Sequence, residues 1–367
     1  MSLLEVTDLQ VSFNTSDGVV QAVRGISFSV ESGRTLGIVG ESGSGKSVST
    51  QTLLGLTPSA RVSGTALFEG QDLLTMNAEQ LRRIRGGQIA MIFQDPLSSL
   101  HPLYRVGWQI VEMIREHESN VSKAAAHKRA IELLGMVGIP QPEQRVDDFP
   151  HQFSGGMRQR AMIAMALSLN PKLIIADEPT TALDATVQAQ ILDLMLRLQR
   201  EFDTALIIIT HDLGVIADIA DDVLVMYAGK PVEHTDRRSL YYRPHHPYTK
   251  GLLESIPGST GAKGRLRPIP GQPPSLIHVP SGCSFHPRCA YVMDRCIPDE
   301  PPLRPVGGEN EIGIGHTSAC WLPEAALGLG PDAEQLRTKA VAAGRKGGPA
   351  KQLAARNTGD AKGAVAQ

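Results

Sequence analysis

Cysteine is scarce in this chain, with four among 367 residues, and aromatic residues make up only 4%. A chain that is 41% hydrophobic at this length holds ample material for an apolar core, so a small disulfide-stapled scaffold is excluded. An excess of one charge is also missing: 36 basic residues stand against 38 acidic ones, a net of −2. No global basic field exists to hold nucleic acid or an anionic membrane surface by electrostatics alone. No apolar run approaches the roughly 18–20 residues that span a bilayer. Met1 to Asp8 offer no basic segment ahead of an apolar one, so no secretory signal is visible and a cytosolic chain is expected. There thiols stay reduced, which favours metal or redox roles for clustered cysteines over disulfides.

What is present divides into regions. At roughly 150 residues per domain, the length suggests two or three units. Val6, Leu9, Val11 and Phe13 form one apolar set, and Ile26, Phe28 and Val30 alternate with serines. This predicts half-buried antiparallel strands joined at Asp17-Gly18. From Thr35 the pattern becomes that of a buried parallel sheet, with short apolar runs at Leu36–Val39, Ile89–Phe93, Leu173–Ala176, Ala205–Thr210 and Val223–Met226. Helical spacing from Val106 to Val137 reads as an insertion into this α/β core. Pro and Gly become frequent from Pro244 to Pro305, which predicts a small separate C-terminal module. From Thr338 the chain is Ala-, Gly- and Lys-rich, six basic residues against one acidic, and reads as a disordered tail.

Three segments carry chemistry. Gly40-Glu41-Ser42-Gly43-Ser44-Gly45-Lys46-Ser47 fits G-x-x-x-x-G-K-[ST], after a strand and before a helical run. Its glycines let successive N–H groups point inward as an anion nest, and the helix N-terminus adds its positive dipole end. Lys46 is placed to reach the β- and γ-phosphates, and the Ser47 hydroxyl to ligate Mg²⁺. The apolar run Leu173–Ala176 ends in Asp177 and Glu178: the first is suited to hold Mg²⁺, the second to orient and deprotonate an attacking water. Ser154-Gly155-Gly156-Met157-Arg158-Gln159 opens a further helical run and forms a second anion site. One chain needs no second γ-phosphate site unless that site serves a neighbour's nucleotide.

In this order the motifs resemble those of the ATP-binding cassette family over roughly residues 3 to 235, once only, with no internal repeat. The resemblance implies a phosphate-loop NTPase fold: a RecA-like α/β core, an antiparallel β subdomain and a helical insertion at about 95–160, within a cassette at 1–240. It implies ATP and Mg²⁺ as cofactors. Gln94 matches the lid glutamine that contacts Mg²⁺, Asp184 the D-loop at the dimer interface, and His211 the switch histidine that contacts the γ-phosphate. Phe13 matches the aromatic that stacks on adenine, where Tyr is more usual. The signature departs from the commonest form at Phe153 and Met157 but keeps the serine and glycines.

Gln94-Asp95-Pro96-Leu97-Ser98-Ser99-Leu100-His101-Pro102 and His246-Pro247-Tyr248-Thr249-Lys250-Gly251 narrow the resemblance to the D-type ATPases of dipeptide and oligopeptide importers. So do Pro268–Gly271 and Pro280–Cys289. The implied partners are an F-type paralogue forming a heterodimer, two transmembrane permease subunits and, indirectly, an extracytoplasmic binding protein, with no nucleic acid. The implied place is the cytoplasmic face of the cell membrane, as a peripheral subunit. Importers of nickel complexes or glutathione, exporter ATPases and soluble cassette ATPases are the alternatives. Cys283, Cys289, Cys296 and Cys320 lie in the module at 241–325, ahead of the tail at 326–367. Their C-x5-C-x6-C-x23-C spacing lacks the close pairs of structural zinc sites and matches no ferredoxin pattern. A [4Fe–4S] cluster, zinc, and free or disulfide-linked thiols all stay open on spacing; the family resemblance implies the cluster.

Overall fold

The computed structural model describes residues 2–181, 183–256, 268–306 and 315–323. The predicted disordered tail lies outside these residues, as does Ala182 of the D-loop match. In chain order the strands are β1 (Ser2–Thr15), β2 (Gly18–Glu31), β3 (Thr35–Val39), β4 (Arg61–Phe68), β5 (Gln71–Asp72) and β6 (Ile89–Ile92). They continue with β7 (Leu173–Asp177), β8 (Ala205–Thr210), β9 (Asp222–Tyr227), β10 (Lys230–Asp236), β11 (Arg304–Pro305) and β12 (Thr317–Ser318).

Two sheets result. The first is antiparallel, in the order β2-β1-β4-β5. The turn at Asp17-Gly18 closes its hairpin, with Thr15 opposite Gly18. Strict alternation breaks between Val6 and Leu9, where Asp8 takes a left-handed φ of 45° and the register shifts. This β-bulge explains why two core residues three apart face the same side. The second sheet runs β11-β12-β10-β9-β3-β8-β7-β6. Its β9, β3, β8, β7 and β6 are parallel, as the continuous apolar runs predicted. All five residues of β3 are buried, because helices and the antiparallel sheet cover both of its faces. The Val106–Val137 stretch forms two helices, Val106–His117 and Lys123–Met136, packed with the helix Gly155–Ala166 into one apolar core.

The C-terminal segment is joined to this sheet. β12 pairs with β10 at Glu233↔Ser318 and His234↔Thr317, and β11 pairs with β12. Glu233, fully buried on β10, is the anchor. It accepts hydrogen bonds from His245 N–H at 2.6 Å, His246 N–H at 3.1 Å and His316 Nε2 at 2.7 Å. His246 in turn caps the helix Pro247–Glu254 through Nδ1, and burial pushes its imidazole down to about 4, so it stays neutral. A buried carboxylate holding three donors is costly to remove, because all three lose a shared buried acceptor. Glu233→Ala should destabilise the chain by about 3 kcal/mol, read as a lowered urea midpoint, with proteolysis entering first after residue 240.

Candidate functional site

The carboxyl ends of β3, β7 and β8 converge on a cavity of about 790 Å³. Its floor is the phosphate loop, Gly40 to Ser47, and its walls include Gln94, Glu178, Thr181 and His211. Leu252, Ser255, Pro268 and Ile269 of the C-terminal segment also line it.

The loop's glycines are required by close approach. A Cβ on Gly40 would lie 2.2 Å from the Met226 carbonyl, and one on Gly45 would lie 2.2 Å from that of Ala22. Both have positive φ, 153° and 95°. Gly45 begins the helix Lys46–Leu53, which has no side-chain cap, so its first N–H groups remain for an anion. Ser44 Oγ is buried with no hydrogen-bond partner among the described residues. Uncapped amides and an orphaned hydroxyl fit a bound polyphosphate. Lys46 is only 5% exposed and donates to the Gly40 and Glu41 carbonyls at 2.7 and 3.0 Å. Burial lowers its pKa, against the opposing pull of Glu178, Asp177 and Glu41.

The metal-binding side is assembled likewise. Ser47 Oγ donates to Asp177 Oδ1 at 2.8 Å, and Gln51 Nε2 lies 3.4 Å from Oδ2. Burial raises the Asp177 pKa, while the Ser47 hydrogen bond works against the rise. A hydroxyl and a carboxylate 2.8 Å apart are an oxygen pair suited to Mg²⁺. Glu178 follows in a left-handed conformation, φ 46°, with its N–H bonded to the Ile209 carbonyl. That backbone turn swings its carboxylate away from Asp177. Oε2 accepts from Gln94 Nε2 at 3.1 Å and from Thr181 Oγ1 at 2.9 Å, and Oε1 lies 3.3 Å from His211 Nδ1. The motifs point to Ser47, Gln94, Asp177, Glu178 and His211 but to neither Gln51 nor Thr181, the second of two adjacent threonines, whose roles appear only in the fold.

Other predicted residues lie elsewhere. Ser154 caps the helix Gly155–Ala166, its Oγ accepting from Met157 N–H at 3.3 Å. A Cβ on Gly156 would come within 2.9 Å of Val187, whereas Gly155 has room. Gln159 is buried, its Nε2 without a partner among the described residues. Asp184 caps the helix Ala185–Phe202 through Thr186 and Val187 N–H. Neither the signature nor Asp184 lines the phosphate-loop cavity. Phe13 is half-buried against the antiparallel core and does not line it either.

Cys283, Cys289, Cys296 and Cys320 line one small cavity of about 10 Å³ together with Phe285 and Trp321. All four are free thiols. Burial raises Cys283, Cys289 and Cys320 to about 11. Tyr291 N–H donates to Cys289 Sγ and Leu322 N–H to Cys320 Sγ, at 3.4 and 3.5 Å. Among the described residues, no three Cys, His, Asp or Glu side chains are grouped so that they could hold a metal ion.

A family model described as "ABC transporter" matches residues 23–181, and one described as "Oligopeptide/dipeptide transporter, C-terminal region" matches residues 232–296. The oligopeptide transport ATP-binding protein OppD of Bacillus subtilis is 50% identical over 93% of this chain and 95% of its own length. The chain belongs to the peptide-transport ATP-binding proteins of the ABC transporter family. The dipeptide transport ATP-binding protein DppD of Bacillus subtilis is 49% identical over 88% of the chain and 95% of its own length. Among solved structures, the dimeric ATP-binding cassette MJ0796 in a post-hydrolysis state with ADP and Pi aligns with a TM-score of 0.58 and 25% identity. That alignment covers 64% of this chain and 99% of the cassette. The chain is thus an ABC-type ATPase with the cassette fold, and family membership implies ATP, Mg²⁺, a paired cassette and membrane permeases. No helix among the described residues is long and apolar enough to cross a membrane.

The raised Asp177 pKa gives a pH dependence with a defined sign. Asp177 takes up its proton at a higher pH than an exposed aspartate, so Mg²⁺ affinity falls earlier on acidification. The ionised carboxylate destabilises the metal-free chain above that pKa, and this penalty fades as the pH falls. The Mg²⁺ concentration for half-maximal ATP turnover should therefore rise on acidification, beginning at a higher pH than an exposed aspartate would give. In Asp177→Asn it should be at least about tenfold higher throughout, with little pH dependence.

Proposed function

We propose that the cassette powers import of dipeptides or oligopeptides by binding ATP between two cassettes and hydrolysing it. The arrangement around Glu178 carries the reading of the chemistry. Its carboxylate sits at the mouth of the phosphate loop, with Gln94, Thr181 and His211 fixing both oxygens. A carboxylate so oriented can accept a proton from water attacking the γ-phosphate, with His211 beside it to contact that phosphate. Lys46 exchanges the Gly40 and Glu41 carbonyls for phosphate oxygens. Ser47 and Asp177 would hold Mg²⁺, which would neutralise charge developing on the phosphates.

Half of the phosphate-binding equipment is absent from the cavity. The signature Ser154–Gly156, at an accessible helix N-terminus, is available to complete the site of an opposing cassette. Phe13 would face adenine once nucleotide is bound. The partner we favour is an F-type paralogue in a heterodimer, beneath two permeases served by an external binding protein, on the cytoplasmic membrane face. An exposed apolar patch supports docking to the permeases: Leu103 is 77% exposed, and Tyr104 stacks on Trp108 at 4.3 Å. Gln109 pins the loop that carries it, bonding to the His101 and Tyr104 carbonyls. Such a patch, in the segment that follows the lid glutamine in sequence, suits contact with an apolar helix.

For the four cysteines we propose a [4Fe–4S] cluster, with zinc as the alternative. The convergence of four thiols on one cavity and N–H donors to two sulfurs support metal ligation. Buried thiols near 11 stay protonated at neutral pH unless a metal displaces the protons.

Glu178→Gln in the assembled transporter should bind MgATP normally and lower turnover by about 10²-fold or more. Wild-type turnover would overturn the assignment of Glu178. Anaerobic isolation should yield iron and sulfide in equal amounts, near four of each per chain; zinc without iron sinks the cluster.

A further inference from the structure

Glu41 is an acidic residue inside a loop built to bind polyphosphate. Its carboxylate would oppose the nucleotide unless another group neutralised it. The neutralising group comes from 247 positions away. Arg288 Nη1 lies 2.6 Å from Glu41 Oε2, and Nη2 lies 3.0 Å from Oε1, a bidentate pair. The Arg288 side chain is 5% exposed. Its remaining contacts leave it little freedom: Nε donates to the Pro270 carbonyl at 2.8 Å, and Nη1 also reaches the Tyr227 hydroxyl at 3.2 Å.

The main chain of the same residue is held from the same side. Glu41 N–H donates to the Tyr248 hydroxyl at 2.8 Å. Tyr248 is fully buried, its ring 4.7 Å from Tyr227 and 5.4 Å from Phe285. The third anchor is Lys46, which bonds the Glu41 carbonyl. Ser44 N–H also bonds that carbonyl, at 3.2 Å. Were Lys46 to turn to the phosphates, Arg288 and Tyr248 would be the side chains that still hold Glu41.

We propose that Arg288 and Tyr248 are positioning residues through which the C-terminal segment neutralises and fixes Glu41, and thereby sets the affinity of the phosphate loop for MgATP. This rests on the assignment of the ATP site above. Neither residue touches the nucleotide cavity, and both belong to the segment appended to the cassette. The turn bearing Arg288, His286–Arg288, runs directly into Cys289, so the cysteine-bearing segment and the phosphate loop share one scaffold.

The test is steady-state ATP hydrolysis by the assembled transporter, with MgATP binding to the full chain measured alongside. Arg288→Ala should raise KM for MgATP about tenfold or more while kcat at saturation stays within about threefold. Arg288→Lys keeps the charge without the bidentate geometry and should fall between Arg288→Ala and wild type. Tyr248→Phe keeps the buried ring, removes the acceptor for Glu41 N–H, and should raise KM about three- to tenfold. Adding Glu41→Gln to Arg288→Ala removes the uncompensated carboxylate and should recover most of the lost affinity. A wild-type KM in Arg288→Ala, a loss confined to kcat, or a double variant no better than Arg288→Ala overturns the proposal. Should Arg288→Ala fail to fold, wild-type KM in both Arg288→Lys and Tyr248→Phe overturns it. A wild-type chain unable to bind MgATP defeats the ATP site itself, whereas normal wild-type binding with indifferent variants defeats only this coupling.

Discussion

A polyphosphate held by main-chain N–H groups demands a backbone that is bare, correctly curved and rigid, and the fold is arranged around that demand. β3 is buried on both faces between β8 and β9, so its carboxyl end has one position. Gly40 and Gly45 then turn the chain against the carbonyls of Met226 and Ala22, where no side chain fits. Met226 lies one residue before the end of the neighbouring parallel strand, and Ala22 lies on the antiparallel sheet. Both sheets therefore press on the same eight-residue loop. A chain with no net basic surface can bind a highly charged anion this way, because aimed dipoles and one buried lysine replace a diffuse field.

The acidic side of the site shows a division of labour between adjacent carboxylates. Asp177 ends its strand in the ordinary extended sense and meets Ser47. Glu178, one residue on, takes a left-handed turn and faces Gln94, Thr181 and His211. A single backbone reversal thus separates the residue suited to the metal from the residue suited to water. Their environments differ accordingly: Asp177 is desolvated with a raised pKa, while Glu178 is held by Gln94, Thr181 and His211 at the cavity mouth.

Much of this was readable from the linear chain. The five parallel strands were foreseen within a residue or so at each end, because strands buried on both faces leave continuous apolar runs. The hairpin at Asp17-Gly18 followed from turn chemistry. The bulge at Asp8 was invisible, since its cause is the fit of Asp8 against Gly25 and Gly64 on two neighbouring strands. The C-terminal segment read as a separate unit because Pro and Gly dominate it. Its two-residue strands nevertheless extend the main sheet, too short to leave a periodic pattern.

By itself the sequence determined the phosphate loop, the acidic strand end, the signature and the order in which they occur, since each is contiguous and its chemistry is written in adjacent residues. It also supplied four cysteines in one stretch of chain. The tertiary structure decided which groups meet across long separations: Thr181 and His211 on Glu178, Glu233 under three donors, four thiols around one cavity, and Arg288 with Tyr248 on Glu41. Those pairings depend on sheet order and side-chain packing. A lone arginine or tyrosine in a Pro-rich segment carries no local mark of the partner it will find.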